Sequence, residues 1–360
     1  MSRRLGVGVV GLGIGLEHLA AYAALPDLFD IRAICDLDAG KRAAAATRFG
    51  VPHQLSNVAD MLRLDGVDII DVCTPPNTHF ALIAQGLEAG KTVVCEKPLV
   101  GSLADIDRLA VLEQATGQQI VPIFQYRFGN GLQKLKHLVD AGLAGQAFLT
   151  TIETSWQRGA DYYAVAWRGK WATEMGGVCL TQAIHAHDML SYINGPLSRV
   201  FARVATRVNT IEVEDCAAVS VEMADGSLAT LSATLGSAEQ ISRLRFVFRN
   251  LTAESNLDPY RPSREPWTFT GATPEAQVAI DAALADFTPQ AEFFEGQFTR
   301  MHHALVTGGA MPVTLRDARA SLELISAIYH SARTGEAVSM PVGPDHPLYT
   351  GWLPPRPSAM

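Results

Sequence analysis

No stretch of the sequence approaches the roughly 20 uninterrupted apolar residues that a membrane-spanning helix needs, so no membrane span is expected. Cysteine is scarce. The five thiols, at 35, 73, 95, 179 and 216, show no paired or metal-type spacing. Neither a disulfide framework nor a metal site is indicated, and an odd number suits a reducing compartment such as the cytoplasm. Positive charge is also short: 29 Lys and Arg stand against 37 Asp and Glu, for a net charge of −8. With no basic run to meet a phosphate backbone, nucleic acid is not an expected partner. Internal repeats and low-complexity tracts are missing too.

What is present is globular: 48% hydrophobic and 18% charged residues in a chain of 360, a length that suits two domains. The apolar start up to Leu16 carries five glycines between Gly6 and Gly15, followed by Glu17 and His18. That pattern suits a strand and turn rather than an export leader. Short apolar runs then read as buried strands: Val7–Val10, Ile31–Cys35, Val67–Cys73, Thr92–Cys95 and Ile120–Phe124. Helical segments separate them. Thr78 is placed to cap one that stops at Gly90, and Ser102 with Asp105 resembles a capping box for another that stops at Gly117. Strands alternating with helices require crossovers, hence a doubly wound parallel sheet over residues 1–125.

The pattern changes at residue 126. After a helix at Leu132–Ala141, two-residue alternation marks strands at Phe148–Trp156, Val200–Val208, Ala217–Met223, Ser227–Thr234 and Leu244–Phe248. Asp225-Gly226 supplies a hairpin turn between two of them. Helical spacing returns from Ala276 to Gly335, and a tail from Pro341 with six prolines is expected to wrap a surface. Residues 126–360 therefore read as an α+β domain with a large, mostly antiparallel open sheet.

Gly11-Leu12-Gly13-Ile14-Gly15 follows the first strand and opens a helix. Glycines there permit a tight turn and let backbone N–H groups approach a pyrophosphate. The third glycine comes one residue earlier than in the usual G-x-G-x-x-G. Asp36 ends the second strand 23 residues beyond Gly13, where an acid accepts hydrogen bonds from a ribose diol. Its carboxylate would repel a 2′-phosphate, which favours NAD over NADP. Its alternative role is to cap the next helix. Glu96-Lys97-Pro98 follows the fourth strand, and Thr74-Pro75-Pro76-Asn77-Thr78-His79 follows the third. Ligands of open α/β sheets bind at these carboxyl ends. A lysine after a strand is, by itself, more often a solvated surface charge than a catalyst.

In this order, the nucleotide turn, Asp36, Thr74-Pro75, Gly90-Lys91, Glu96-Lys97-Pro98 and Gly176-Gly177…His185…Asp188 resemble the Gfo/Idh/MocA family of NAD(P)-dependent oxidoreductases. The likeness runs from about Gly6 to about Pro341. It implies a Rossmann domain plus an α+β domain whose open sheet often forms homodimers or homotetramers. It also implies oxidation of a secondary alcohol on a sugar, inositol-like polyol or sugar derivative. By the same likeness Lys97 is the active-site lysine and His185 the acid–base histidine. Spacing alone would not separate His185 from His187. Gly11, Gly13, Ile14, Gly15, Asp36, Thr74, Pro75, Asn77, His79, Glu96 and Lys97 become cofactor contacts. Lys97, Arg127, Trp167, Arg168, Thr181 and His185 become substrate contacts.

Thr181 departs from the family pattern, which often has Asp or Asn there. A hydroxyl cannot hold a negative charge beside His185, so Asp188 is the candidate to supply one. Trp156, Tyr162, Tyr163, Trp167 and Trp171, interleaved with Arg158, Arg168 and Lys170, offer platforms for a sugar or simply packing. Histidine suits proton transfer near neutrality, and an ammonium suits a developing alkoxide. Two other readings keep the fold. One is redox-neutral glycoside cleavage or epimerisation through a transient keto-sugar; the other is a nucleotide-dependent sugar sensor without turnover.

Overall fold

A computed structural model describes residues 3–354 and divides the chain into two compact units. The first holds the chain up to Phe124 together with Phe293–Arg319; the second holds Gln125–Glu292 and the chain from Ala320 onward. The sequence reading cut the chain once, at 125. The extra segment belongs with the first unit because the helix Phe293–Thr307 buries its aromatic face there. Phe298 stacks on Tyr22 with ring centroids 4.2 Å apart and meets Phe29 edge-on, and Met301 joins the same core.

Six strands form the sheet of the first unit: β1 (Leu5–Val10), β2 (Phe29–Cys35), β3 (His53–Leu55), β4 (Ile69–Val72), β5 (Thr92–Cys95) and β6 (Ile120–Pro122). All pairs are parallel, in the order β3-β2-β1-β4-β5-β6. The reversal of direction at β1 is the switch point where such sheets open a crevice. β1, β4 and β5 are buried throughout, which is why they read as continuous apolar runs. β3 was not anticipated, since two of its three residues are exposed.

Helix ends follow local chemistry. Ser102 Oγ accepts the Asp105 N–H at 3.0 Å, and Gly117 ends that helix at φ +66°. Thr78 does not cap as expected. The chain enters the next helix through a single tight turn, Pro76–Thr78, and the Thr78 hydroxyl donates to Pro75 O at 2.8 Å.

The second unit is built on β7 (Ala147–Gln157), β8 (Leu197–Ala205), β9 (Cys216–Met223), β10 (Leu228–Thr234), β11 (Gly236–Phe248), β12 (Leu251–Glu254), β13 (Thr268–Gly271) and β14 (Val338–Ser339). Their order is β13-β12-β11-β7-β10-β9-β8-β14. Only β7 and β10 pair in parallel; the other neighbours are antiparallel. Along β7, Thr150, Ile152, Thr154 and Trp156 are buried, while Thr151 on the other face is exposed. Gly226, at φ +84°, makes the β9–β10 turn. The described part of the tail is anchored by fully buried Trp352, whose Nε1 donates to Met175 O at 2.7 Å. The last prolines expected to wrap a surface, in residues 355–360, lie outside the described residues.

If Phe293–Thr307 is part of the first unit's core, Phe298→Ala should lower the unfolding free energy by about 3–5 kcal/mol. Urea unfolding measures this; a loss below about 1 kcal/mol would mean that the helix is only draped on the surface.

Candidate functional site

The residues assigned to one site by sequence fall in both units, and each group has its own surroundings. In the first unit the glycine turn is sterically dictated. Gly11 has φ +93°, and a Cβ there would stand 2.7 Å from Cys73 O. At Gly15 a Cβ would press on Val9 and Cys73, so this glycine lets the helix Gly15–Ala23 approach β1. The close-packing glycine is thus present one residue early. Between them, exposed Gly13 has nothing within 4 Å of a built Cβ. Ile14 is exposed, and its side chain makes no capping bond to the helix N-terminus.

Asp36 sits just past β2, with Oδ2 accepting the Leu12 N–H at 2.7 Å and Oδ1 accepting the Asp38 N–H at 2.9 Å. Each oxygen keeps a further lone pair, which is what a ribose diol requires. Helix capping falls to Asp38 instead, through Gly40 and Lys41. Arg42, which sequence reasoning passed over, donates to Asp36 O at 2.6 Å. An open backbone approach at Gly13, a helix start without a side-chain cap and an aimed carboxylate together fit a dinucleotide.

At the next strand ends, Thr74 Oγ1 lies 2.7 Å from Thr78 Oγ1. Pro75 and Asn77 are exposed. His79, expected to touch cofactor, is fully buried. Its ring nitrogens lie 2.8 Å from Thr74 O and 2.9 Å from Pro98 O, between the turns after β4 and β5, and a neutral ring donates to one of these two carbonyls. Burial holds its pKa below the usual value. Lys97 is half-buried and precedes a cis peptide to Pro98. Its backbone N–H donates to Glu96 Oε2 at 3.0 Å.

The residue that sequence reasoning missed is His18, one turn into the first helix and fully buried. Its Nδ1 lies 2.8 Å from Asp71 Oδ2 and its Nε2 3.1 Å from Glu96 Oε1. Tyr22 and Cys73 also donate to Asp71, and Phe294 and Phe298 cover the ring. Burial opposes charge on this imidazole, yet the Asp71 carboxylate raises its pKa well above the usual value. His18, Asp71 and Cys73 have the composition of a metal site. However, the 2.8 Å His–Asp separation is shorter than the ~3.3 Å between tetrahedral ligands 2.0–2.1 Å from zinc, and it describes an ion pair. Burial pushes the Cys73 and Cys95 thiols up and raises Cys35 to about 11, so all three behave as small apolar groups.

In the second unit, His185 is the second residue of the helix Ile184–Asn194 and is buried. The Tyr126 ring stacks on it, with centroids 4.4 Å apart and planes 15° from parallel. Arg127, expected at the substrate, is buried and bidentate on Asp188: Nε to Oδ2 at 2.7 Å, Nη2 to Oδ1 at 2.6 Å. That fork fixes Gln125–Phe128 to the helix and engages the carboxylate expected to tune His185. His187 is also buried, and desolvation lowers its pKa to about 4. A nitrogen so weakly basic is a poor general base at neutral pH.

Thr181 donates to Gly177 O at 2.8 Å and contacts the Gln182 side chain. Gln182 Nε2 donates to Tyr162 OH at 2.9 Å, and Tyr162 is also bonded by Arg168. Arg168 lies over the Tyr162 and Trp167 rings and 3.4 Å from buried Glu174. The expected substrate residues Trp167, Arg168 and Thr181 are therefore joined in one cluster. Trp156 instead packs inside, donating to Ser242 Oγ at 3.0 Å. The Gly176-Gly177 turn has its explanation in Glu214, another residue that sequence reasoning missed. A Cβ at Gly177 would lie 1.7 Å from Glu214 O. The Glu214 carboxylate accepts the Gly177 and Cys179 N–H groups and the Tyr329 hydroxyl. Burial raises its pKa to about 7.

Comparison with known proteins agrees with both units. Residues 5–124 match the oxidoreductase family with NAD-binding Rossmann fold, and residues 132–254 match the GFO/IDH/MocA C-terminal domain. The chain belongs to the Gfo/Idh/MocA oxidoreductase family. Its first unit is the family's NAD-binding Rossmann domain. Among similar proteins is the uncharacterized oxidoreductase YrbE of Bacillus subtilis, 27% identical over 64% of this chain and 67% of that protein. Myo-inositol 2-dehydrogenase of Thermotoga maritima is 30% identical over 54% of this chain and 57% of its own length. Inositol 2-dehydrogenase of Salmonella typhimurium is 31% identical over 40% of this chain and 44% of its own length. The match thus spans about half of these two inositol enzymes. The WlbA dehydrogenase of Bordetella pertussis, solved with NADH and UDP-GlcNAcA, superposes with a TM-score of 0.83 at 26% identity, over 95% of this chain and all of that one. No helix among the described residues is long and apolar enough to cross a membrane.

This Gfo/Idh/MocA chain should lose stability on mild acidification through His187. The unfolded chain protonates that ring below about 6.5, whereas the folded chain refuses the proton until about 4. Stability therefore falls as pH drops through that window, by roughly 3 kcal/mol in total. His187→Leu should remove this component, read as the difference between the two proteins' denaturation midpoints across pH. Parallel pH dependences would place the group elsewhere.

Proposed function

We propose that the chain is an NAD-dependent dehydrogenase of a secondary alcohol on a sugar, cyclic polyol or sugar derivative. One observation carries the reading. The sterically dictated glycine turn after β1 and the Glu96-Lys97-Pro98 turn after β5 share the carboxyl edge of one parallel sheet. That edge is where open α/β sheets place cofactor and substrate. The inositol dehydrogenases among the relatives support the substrate class.

In this reading Gly11, Gly13, Ile14 and Gly15 cradle the pyrophosphate, and Asp36 takes the ribose diol. NAD, when bound, supplies the acceptor for the hydride that leaves the carbinol carbon. An imidazole nitrogen of His185 removes the hydroxyl proton, with Tyr126 holding the ring flat. The Lys97 ammonium steadies the alkoxide as its C–O bond becomes a carbonyl. Trp167 and Arg168 offer an aromatic face and a cation to the substrate.

A second reading keeps all these parts but returns the hydride to a keto-sugar after cleavage or epimerisation. Thr181 favours keeping it in view, because its hydroxyl donates to Gly177 O and brings no negative charge to the segment before His185.

The test is absorbance of reduced nicotinamide, with NAD and NADP separately, against inositols, aldoses, anhydro-sugars and glycosides. The first reading expects NADH to accumulate with one substrate class and NAD to outperform NADP. Glycoside consumption without NADH selects the second reading. Tight binding of NAD and sugar with nothing consumed leaves a sensor. On the substrate found, Lys97→Met should lose turnover about 100-fold or more while NAD affinity stays within about threefold. Equal losses in both would remove Lys97 from the chemistry.

A further inference from the structure

We propose that His18 is a positioning residue for Lys97: its imidazole ties the Glu96 carboxylate to Asp71, and Glu96 in turn holds the Lys97 backbone N–H at the end of β5. The links are continuous. Asp71 Oδ2 lies 2.8 Å from His18 Nδ1, His18 Nε2 lies 3.1 Å from Glu96 Oε1, and Glu96 Oε2 accepts the Lys97 N–H at 3.0 Å. Both ends of the chain rest on the sheet. Asp71 is inside β4, and the Glu96 N–H donates to Val72 O at 2.9 Å. The ring itself cannot tilt, because Phe294 and Phe298 pack against it at 4.4 and 5.6 Å.

Two carboxylates facing the two ring nitrogens require both nitrogens to donate, so the ring that fits is the imidazolium. The other titratable groups bonded within the cluster, Tyr22 and Cys73, both donate to Asp71, and each is held in its neutral form by burial first and then by Asp71. Glu96 is thereby restrained through one oxygen while the other holds a backbone donor. Without its histidine the carboxylate would lose the hydrogen bond that fixes Oε1, and the lysine after it would lose part of what fixes its starting point. An error of about 1 Å at a catalytic group is enough to cost ~100-fold in rate.

This inference rests on the reading that Lys97 acts in turnover, and three variants keep the two apart. His18→Gln sends an amide to the position of Nε2 and preserves the Glu96 contact; His18→Asn reaches only the Nδ1 position and preserves the Asp71 contact. Lys97→Met serves as control and assigns the Lys97 signal. Reductive methylation with isotope-labelled methyl groups reports the Lys97 amine by NMR, and turnover is read on the substrate found by the nicotinamide panel.

The expected result has the Lys97 resonance displaced in His18→Asn and restored in His18→Gln. Turnover should fall about tenfold in the first and recover to within about threefold in the second, with NAD affinity changed less than about twofold in either. An undisplaced Lys97 resonance in His18→Asn overturns the proposal. So do equal losses in both variants, which would make His18 a filler of the core. If His18→Asn fails to fold, a displaced Lys97 resonance in His18→Gln overturns it, because the Glu96 contact is kept there. Wild-type turnover in Lys97→Met, with the resonance still responding to His18→Asn, overturns the catalytic reading of Lys97 and leaves the positioning intact.

Discussion

A histidine buried between two carboxylates organises the carboxyl edge of the parallel sheet. His18 comes from the helix after the glycine turn, Asp71 from β4 and Glu96 from the turn after β5. Three separate stretches of chain are thus held by one ring. Burying such charges is costly, and a well-packed apolar cluster could match the stability. Removing one partner alone strands the others, at about 3–5 kcal/mol. What the arrangement adds is direction, since hydrogen bonds to two ring nitrogens fix orientations that apolar contacts leave loose. His79 packs between the same two strand ends and donates to one of the carbonyls of Thr74 and Pro98.

The second unit solves a similar problem with other groups. Arg127 and Asp188 lock the segment bearing Tyr126 onto the helix bearing His185, and Glu214 closes the Gly176-Gly177 turn from beneath. Two histidines on that helix, two residues apart, end in opposite situations. Burial lowers the His187 pKa and keeps that ring neutral, whereas His185 stacks on the Tyr126 ring. Environment rather than residue type sets the surroundings of each ring.

Much of the fold was legible because it is written locally. Buried strands announce themselves as apolar runs, and Gly90, Gly117 and Gly226 mark stops and turns that need positive φ. The glycine turn and Asp36 were legible for the same reason, since their geometry is set within one crossover unit. What stayed hidden depends on long-range partners. His18 meets acids 53 and 78 residues away, so nothing in Glu17-His18 betrays a buried ion pair. For Arg127 the sequence left a substrate contact and a helix–loop salt bridge both open, and its fork lies on Asp188, 61 residues on. The helix Phe293–Thr307 follows the second unit's strands in sequence, and only its aromatic contacts assign it to the first unit. The parallel β7–β10 pairing was likewise invisible, because alternation reports a face and not a direction.

The account turns on His18 carrying a proton on both ring nitrogens in the folded protein. Imidazole nitrogen NMR on labelled protein, with the His18 signals assigned by their loss in His18→Gln, measures this directly. The account predicts that both nitrogens remain protonated as pH rises past the ordinary histidine midpoint of 6.5. One bare nitrogen at neutral pH would contradict it, since a neutral ring cannot donate to Asp71 and Glu96 together.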